Sequence, residues 1–238
     1  MDADQQSKFA IHEAAREGRT AAVESLLNAN PRLATRRDDD ERLPIHWACS
    51  YNHFDIAETL VSRKDFDPDV QDGSGWSPLM IASSLQEGDE LVDLLLHKGA
   101  DVNCKNYSGQ TALHFTASKN NIETARKLIA HKATTRVKDR RGQLPLHRAA
   151  AVGSVPMIKL LLENQSPVNA TDSAGYTALH HAIAEGHGDA ALLLLKSGAE
   201  TDKRDVDEQL AINLAPDTKI RKFILQEAER EGIDIVEL

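Results

Sequence analysis

The chain has 238 residues, 41% hydrophobic and 27% charged, a composition that excludes wholesale disorder; with only 4% aromatics, the core must rest on Leu, Ala, Ile and Val. No apolar run approaches the roughly 18 residues of a membrane span, and the N-terminal MDADQQSK lacks the basic-then-apolar order of a secretory signal. The net charge of −9 is uneven, with residues 106–196 carrying 11 basic against 6 acidic side chains between two acidic segments, a pattern that suits a protein partner of alternating charge and argues against nucleic acid.

Along the chain, L-P-I-H ending at His46 recurs as T-A-L-H at His114, L-P-L-H at His147 and T-A-L-H at His180. Degenerate copies end at His12 (F-A-I-H), Met80 (S-P-L-M) and Asn213 (L-A-I-N). These seven anchors are separated by 34, 34, 34, 33, 33 and 33 residues, which is a repeat and not chance. A polar turn precedes the anchor at Asp72–Gly75, Asn106–Gly109, Asp139–Gly142 and Asp172–Gly175, with Asp or Asn to bond the turn backbone and Gly to accept positive φ. A first helix follows, with small pairs such as Ala14-Ala15, Ala48-Cys49 and Ala149-Ala150 for close helix approach, and Gly18, Asn52, Gly153 or Gly186 ends it. The second helix carries Val23, Leu26 and Leu27, or Leu91, Val92, Leu95 and Leu96, or Ile158, Leu161 and Leu162, at helical spacing, and ends at Gly99-Ala100 or Gly198-Ala199. A final helix is predicted over Pro216–Glu231 with Ile220, Phe223 and Ile224 inward, followed by a frayed tail over 232–238.

The period and the T-P-L-H-x-A-like signature are those of the ankyrin repeat. The fold expected is all-α: a solenoid of seven repeats with β-hairpin turns and capping terminal repeats, one domain over 1–231. One unit cannot bury its own apolar face, so stacking makes the core and leaves a concave side lined by first helices and turn tips.

Motifs for catalysis are missing: there is no G-x-S-x-G, no G-x-x-x-x-G-K-[ST], and His12-Glu13 runs into Ala14-Ala15-Arg16 without completing H-E-x-x-H. Five histidines sit on anchors a layer apart, too far from one another to share an ion held at about 2.0–2.1 Å. Their ring nitrogens are expected to bond turn backbone between layers. Cys49 and Cys104 read as small fillers in a reducing compartment, and the sequons at Asn106, Asn164 and Asn169 as chance. The chain is therefore expected to be no enzyme, with no metal and no cofactor, a monomer in the cytoplasm and nucleus that binds neither nucleic acid nor membrane.

What varies freely in such an array is the turn tips and the exposed face of the first helices. The candidate partner-binding residues there are Asp39, Asp40, Arg42, Trp47, Tyr51, Asp72, Trp76, Tyr107, Lys119, Arg140, Arg141, Arg148 and Tyr176. Both tryptophans and all three tyrosines fall on or beside this strip, where aromatic side chains suit interface anchors. Trp47 and Arg148 hold the slot just after the anchor, and Trp47 fits either an inward filler or a groove contact. The strip is acidic at Asp38-Asp39-Asp40-Glu41 and basic at Lys119, Arg140, Arg141 and Arg148, so a partner is expected to present basic residues to the N-terminal half and acidic ones to the C-terminal half.

Beyond the repeat consensus, LATRRDDDERLPIHWACS (33–50), DGSGWSPLMIA (72–82), Ala117-Ser118-Lys119-Asn120 and His147-Arg148-Ala149-Ala150-Ala151 resemble the gankyrin family of proteasome assembly chaperones. The resemblance spans essentially the whole chain. It implies a non-catalytic clamp on the C-terminal domain of one base ATPase subunit, the third of the six, blocking premature docking of the ATPase ring on the core particle. The family's groove contacts carry over to Asp40, Arg42, Trp47, Trp76, Lys119 and Arg148. The L-x-C-x-E segment of the animal proteins is His181-Ala182-Ile183-Ala184-Glu185 here, which points to a fungal or other non-animal member without retinoblastoma-protein binding. A generic ankyrin adaptor, such as a kinase-inhibitor-like module, is the competing reading.

Overall fold

The computed structural model describes residues 9–236, and the N-terminal octapeptide and last two residues lie outside it. The chain divides into two compact units, Met1–Ala112 and Leu113–Leu238. Among the described residues the secondary structure is helical, with 13 α-helices and two 3₁₀ segments.

In the first unit, the helix pairs are α1 (Ala10–Arg16) with α2 (Thr20–Ala29), α3 (Pro44–Ser50) with α4 (Phe54–Val61), and α5 (Pro78–Ser83) with α6 (Asp89–His97). First helices stack on first helices and second on second, α1 on α3 on α5 and α2 on α4 on α6. In the second unit, α7 (Ala112–Lys119), which begins at the boundary, pairs with α8 (Ile122–Ala130). Behind them come α9 (Pro145–Ala151) with α10 (Val155–Glu163) and α11 (Ala178–Ala184) with α12 (Gly188–Lys196). A 3₁₀ turn, Ala211–Leu214, and α13 (Thr218–Arg230) close that stack by packing on α11 and α12. Each unit is thus a short solenoid of ankyrin-type repeats.

The small pairs do what the sequence requires of them: Ala14, Ala15, Ala48, Cys49, Ala149 and Ala150 are all at most 1% exposed. Leu91, Val92, Leu95, Ile158 and Leu161 are fully buried beside them. The first helices end in left-handed residues at Gly18, Asn52, Asn120, Gly153 and Gly186. Both cysteines are free, and burial pushes the Cys49 thiol up to about 12.

Four of the five anchor histidines tie one layer to the next; His180 Nδ1 instead accepts from the Thr177 N–H of its own turn (3.2 Å), and its buried Nε2 meets no hydrogen-bond partner among the described residues. His46 Nδ1 accepts from the Leu43 N–H (3.0 Å) while Nε2 donates to the Val70 carbonyl (3.1 Å). His147 repeats this with Leu144 (2.9 Å) and Ala170 (3.0 Å), and His12 and His114 reach Arg36 O and Gln143 O. That pattern fixes the neutral Nε2–H tautomer. Burial lowers the pKa of His46, and burial with the neighbouring His181 takes that of His147 to about 4.

Three expectations need correcting. The turns are tight turns and not strand hairpins; among the described residues the sole bridge is Arg204–Leu210. Phe223 is 36% exposed, because α13 buries the i, i+4 pair Ile224 and Ala228 and leaves Phe223 at the edge, against Gly188. Residues 232–236 are not frayed: the Ile233 N–H bonds Ala228 O (2.9 Å), Thr201 Oγ1 donates to Asp234 O (3.2 Å), and Ile235 lies beside Leu179, Ile183 and Ile212.

Candidate protein-interaction site

The tips are built by one carboxylate device. In each turn an Asp or Asn Oδ1 accepts two main-chain N–H groups, two and four residues on, at 2.8–3.0 Å: Asp38, Asp72 and Asn106 in the first unit, Asp139, Asp172 and Asp205 in the second. The N–H of the same residue bonds the carbonyl four residues on. Asp38 and Asp205 belong to this series although Glu41 and Glu208, both left-handed, stand where other turns have Gly. Successive tips are also bonded to each other: Gly73 N–H to Asp40 O (3.0 Å) and Tyr107 N–H to Ser74 O (3.2 Å) in the first unit, Ser173 N–H to Arg141 O (2.8 Å) and Val206 N–H to Ala174 O (3.0 Å) in the second.

The second carboxylate oxygen then sets a side chain nine residues on, just past the anchor. Asp38 Oδ2 accepts the Trp47 indole N–H at 2.7 Å. Asp139 Oδ2 takes Arg148 Nη2 at 2.8 Å, and Asp172 Oδ2 takes His181 Nε2 at 2.9 Å and Gln143 Nε2 at 3.1 Å. Asp72, followed nine residues on by Ile81, uses Arg42 Nε instead (3.2 Å). Burial opposes ionisation of Asp139, but Arg148 and the two main-chain N–H groups outweigh it and hold the carboxyl below its ordinary value; Gln143, His181 and two N–H groups do the same for Asp172.

In the first unit this device displays an aromatic row. The Arg42 guanidinium lies 4.9 Å over the Trp47 ring and Arg16 6.0 Å from it. Trp47 stacks on Tyr51 (6.3 Å, 25°), and Tyr51 on His53 (6.3 Å, 11°). Trp47 is thus neither an inward filler nor a loose surface ring, but a half-buried plate with one edge locked. Tyr51 is 54% and Tyr107 55% exposed, Asp39 and Asp40 are exposed at the tip, and Trp76 is half-buried. Tyr107 occupies the space a Cβ at Gly75 would need (2.7 Å), and φ +80° at Gly75 favours glycine as well, so the close approach excludes a side chain there. Asp72 is buried, with both oxygens committed within the fold; its contribution to a surface runs through Arg42.

In the second unit Lys119, Arg140 and Arg141 are exposed, and Arg148 is half-buried with its head on Asp139. Tyr176 is half-buried, its ring 5.4 Å from both His180 and His181. Sequence placed Asp38 in the acidic run and Asp139 in a turn but did not show that they hold Trp47 and Arg148, and it did not single out His181 on Asp172. The signal for them was present as Asp with Trp, Arg or His nine residues later in three repeats. Among the described residues no group of three or more His, Cys, Asp or Glu could hold a metal. A cleft of about 180 Å³ is lined by Leu43, Ile45, Leu60, Phe66 and Val70 together with Thr35, Arg37, Arg63, Asp65 and Asp67. What the tips offer is directional hydrogen bonds, charge and aromatic area.

These features define a class, the stacked helical repeat array, and comparison with known proteins gives the family. The model for ankyrin repeats (three copies) matches residues 1–72, 62–139, 79–172 and 113–205, and the chain belongs to the ankyrin-repeat family, whose members are protein-interaction modules. The chain is 40% identical over 138 residues to the probable 26S proteasome regulatory subunit p28 of Saccharomyces cerevisiae, covering 56% of this chain and 59% of that one. It is 35% identical over 118 residues to an ankyrin repeat-containing protein of Schizosaccharomyces pombe, 49% of this chain and 50% of that one. The matches thus span little more than half the length of these relatives. Human neurogenic locus notch homolog protein 1 matches at 33% over 130 residues, 5% of its length. Among solved structures, the ankyrin repeat domain of Bcl-3 superposes with a TM-score of 0.74 at 25% identity, covering 90% of this chain and 97% of that one. The human ASB11 ankyrin repeat domain gives 0.80 at 23% identity, covering 91% and 96%; that likeness concerns the fold.

Proposed function

We propose that this chain is a non-catalytic chaperone for assembly of the 26S proteasome regulatory particle. It binds the C-terminal domain of one base ATPase subunit, the third of the six, through turn tips and first-helix faces, and sterically blocks premature docking on the core particle. The observation that carries the reading is the locked Asp38–Trp47–Arg42 constellation, which presents Tyr51 and the Asp39-Asp40 tip and falls in the very segment that resembles the gankyrin family. The p28 relative, a probable proteasome regulatory subunit, supports the same assignment. The exposed acids of the first unit suit basic residues of the partner, and Lys119, Arg140 and Arg141 of the second suit acidic ones. Cytoplasm and nucleus are the compartments this role requires.

A pulldown with this chain against the six ATPase C-terminal domains, each expressed separately, tests it. Retention of one domain is the expected result, and retention of none overturns the reading. The second reading, a generic ankyrin adaptor for another protein, is favoured by the similarity to notch and Bcl-3 arrays and would then stand.

A further inference from the structure

The segment from the end of α8 to the next turn tip, 131–142, holds Lys132, Arg136, Lys138, Arg140 and Arg141 against one acid, Asp139. That acid is buried and already committed to Arg148. Arg136 and Lys138 are exposed, and each is tied by a single bond to a carbonyl of the following loop: Arg136 Nε to Gln165 O (3.1 Å) and Lys138 Nζ to Thr171 O (2.7 Å). That loop, 164–171 (NQSPVNAT), contains no charged residue. Among the described residues, therefore, neither cation meets a carboxylate, and neither do Arg140 and Arg141 at the tip. The repeat architecture does not demand this. The loop one repeat beyond pairs Lys203 with Glu200 (3.0 Å), and the corresponding segment of the first unit, 64–75, carries Asp65, Asp67, Asp69 and Asp72.

The single main-chain bonds leave the cations set rather than satisfied. With Nε held, Arg136 keeps both terminal nitrogens for a bidentate carboxylate contact, and Lys138 keeps two of its three donors. Immobilisation, a cost usually met on binding, is partly met in the fold. Arg136, Lys138 and Arg140 alternate along the segment, so the Cα atoms of consecutive members are at most about 7 Å apart. That is also the spacing of every second side chain on an extended peptide.

We propose that 136–141 is a docking strip for an acidic, extended segment of a partner protein with Asp or Glu at alternate positions. Arg136 and Lys138 take no part in the ATPase reading above, which uses only Arg140 and Arg141 of this strip, so the proposal stands without that reading. A protein segment is favoured over a polynucleotide because a net charge of −9 repels a long uniform polyanion, whereas a short segment meets only the basic strip.

The test is fluorescence anisotropy of the full chain with a labelled alternating Glu-Ser dodecapeptide, a Gly-Ser peptide of equal length and a twelve-nucleotide oligo-dT, at low and physiological salt. The strip predicts binding of the acidic peptide alone, weakening with salt, and a loss of about tenfold or more in R136E/K138E. R136Q/K138Q should give an intermediate loss, and serves if the reversal variant fails to fold. R126E/K159E, which reverses two other exposed cations of the same unit, should change affinity less than about twofold. The proposal is overturned if R136E/K138E binds as the parent does, if both reversals weaken binding equally, or if oligo-dT binds more tightly than the peptide. Capture of an ATPase domain by the same variants reads the other proposal separately.

Discussion

Asp38 holds the Trp47 indole N–H at 2.7 Å while its other oxygen caps the N–H groups of Asp40 and Arg42. One side chain therefore shapes the acidic tip and sets the aromatic plate behind it. The D-D-D-E run is not a uniform solvated charge patch: its first member is structural and only the later ones are displayed.

D38A should therefore remove two caps and the indole acceptor at once, costing about 2–4 kcal/mol. D38N keeps an acceptor for the two caps but turns an amide toward the indole N–H, and should cost less. Urea denaturation followed by tryptophan fluorescence measures both, and equal midpoints for D38A and the parent would refute the device.

Tyr51 separates binding from folding. It is 54% exposed and stacks on Trp47 only at 6.3 Å, so Y51A should leave stability within about 0.5 kcal/mol. Affinity for the ATPase domain should fall about tenfold. Calorimetric titration beside a thermal melt reads both quantities.

Arg148 behaves differently from the arginines at the tip. Its head pairs with Asp139, which is 2% exposed at the side chain, so R148E places two carboxylates together and should cost about 3 kcal/mol or more of stability. R140E/R141E, on exposed side chains, should stay within about 0.5 kcal/mol of the parent and still weaken partner binding. A charge-reversal test at Arg148 alone would confuse unfolding with lost recognition.

Acid should destabilise the fold before its carboxylates titrate. A histidine whose folded pKa lies below its unfolded value contributes stability that is complete above the unfolded pKa and lost as pH falls toward the folded one. For His147 the window runs from 6.5 down to about 4, which amounts to about 2 kcal/mol by about pH 5. His12, His46 and His180 shift in the same direction through burial and add to it. Urea midpoints falling steadily from about pH 7.5 to 5 are expected, and a flat profile would contradict the buried neutral anchors.

The repeat was legible because stacking forces it: every layer needs the same small pair, the same anchor and the same break, so Ala48-Cys49 and Ala149-Ala150 announce themselves. Exposure at the tips was legible from position in the repeat, as at Tyr51, Tyr107, Lys119, Arg140 and Arg141. Position misleads where a side chain has two jobs. Asp72 reads as a surface acid but is buried under bonds from Ser74, Trp76 and Arg42. The capping role of Asp38 was obscured because Glu41 replaces the glycine that marks the other turns. The packing of Ile235 on the last repeat depends on a chain reversal at Gly232, which has φ +70°, and periodicity does not encode such a reversal.

The most direct measurement is equilibrium binding of the third base ATPase subunit's C-terminal domain to the parent chain, Y51A and R140E/R141E, with urea stability recorded on the same samples. The parent should bind, and both variants should lose about tenfold or more in affinity at unchanged stability. A parent that does not bind, or variants that bind as it does, would contradict recognition through the tips.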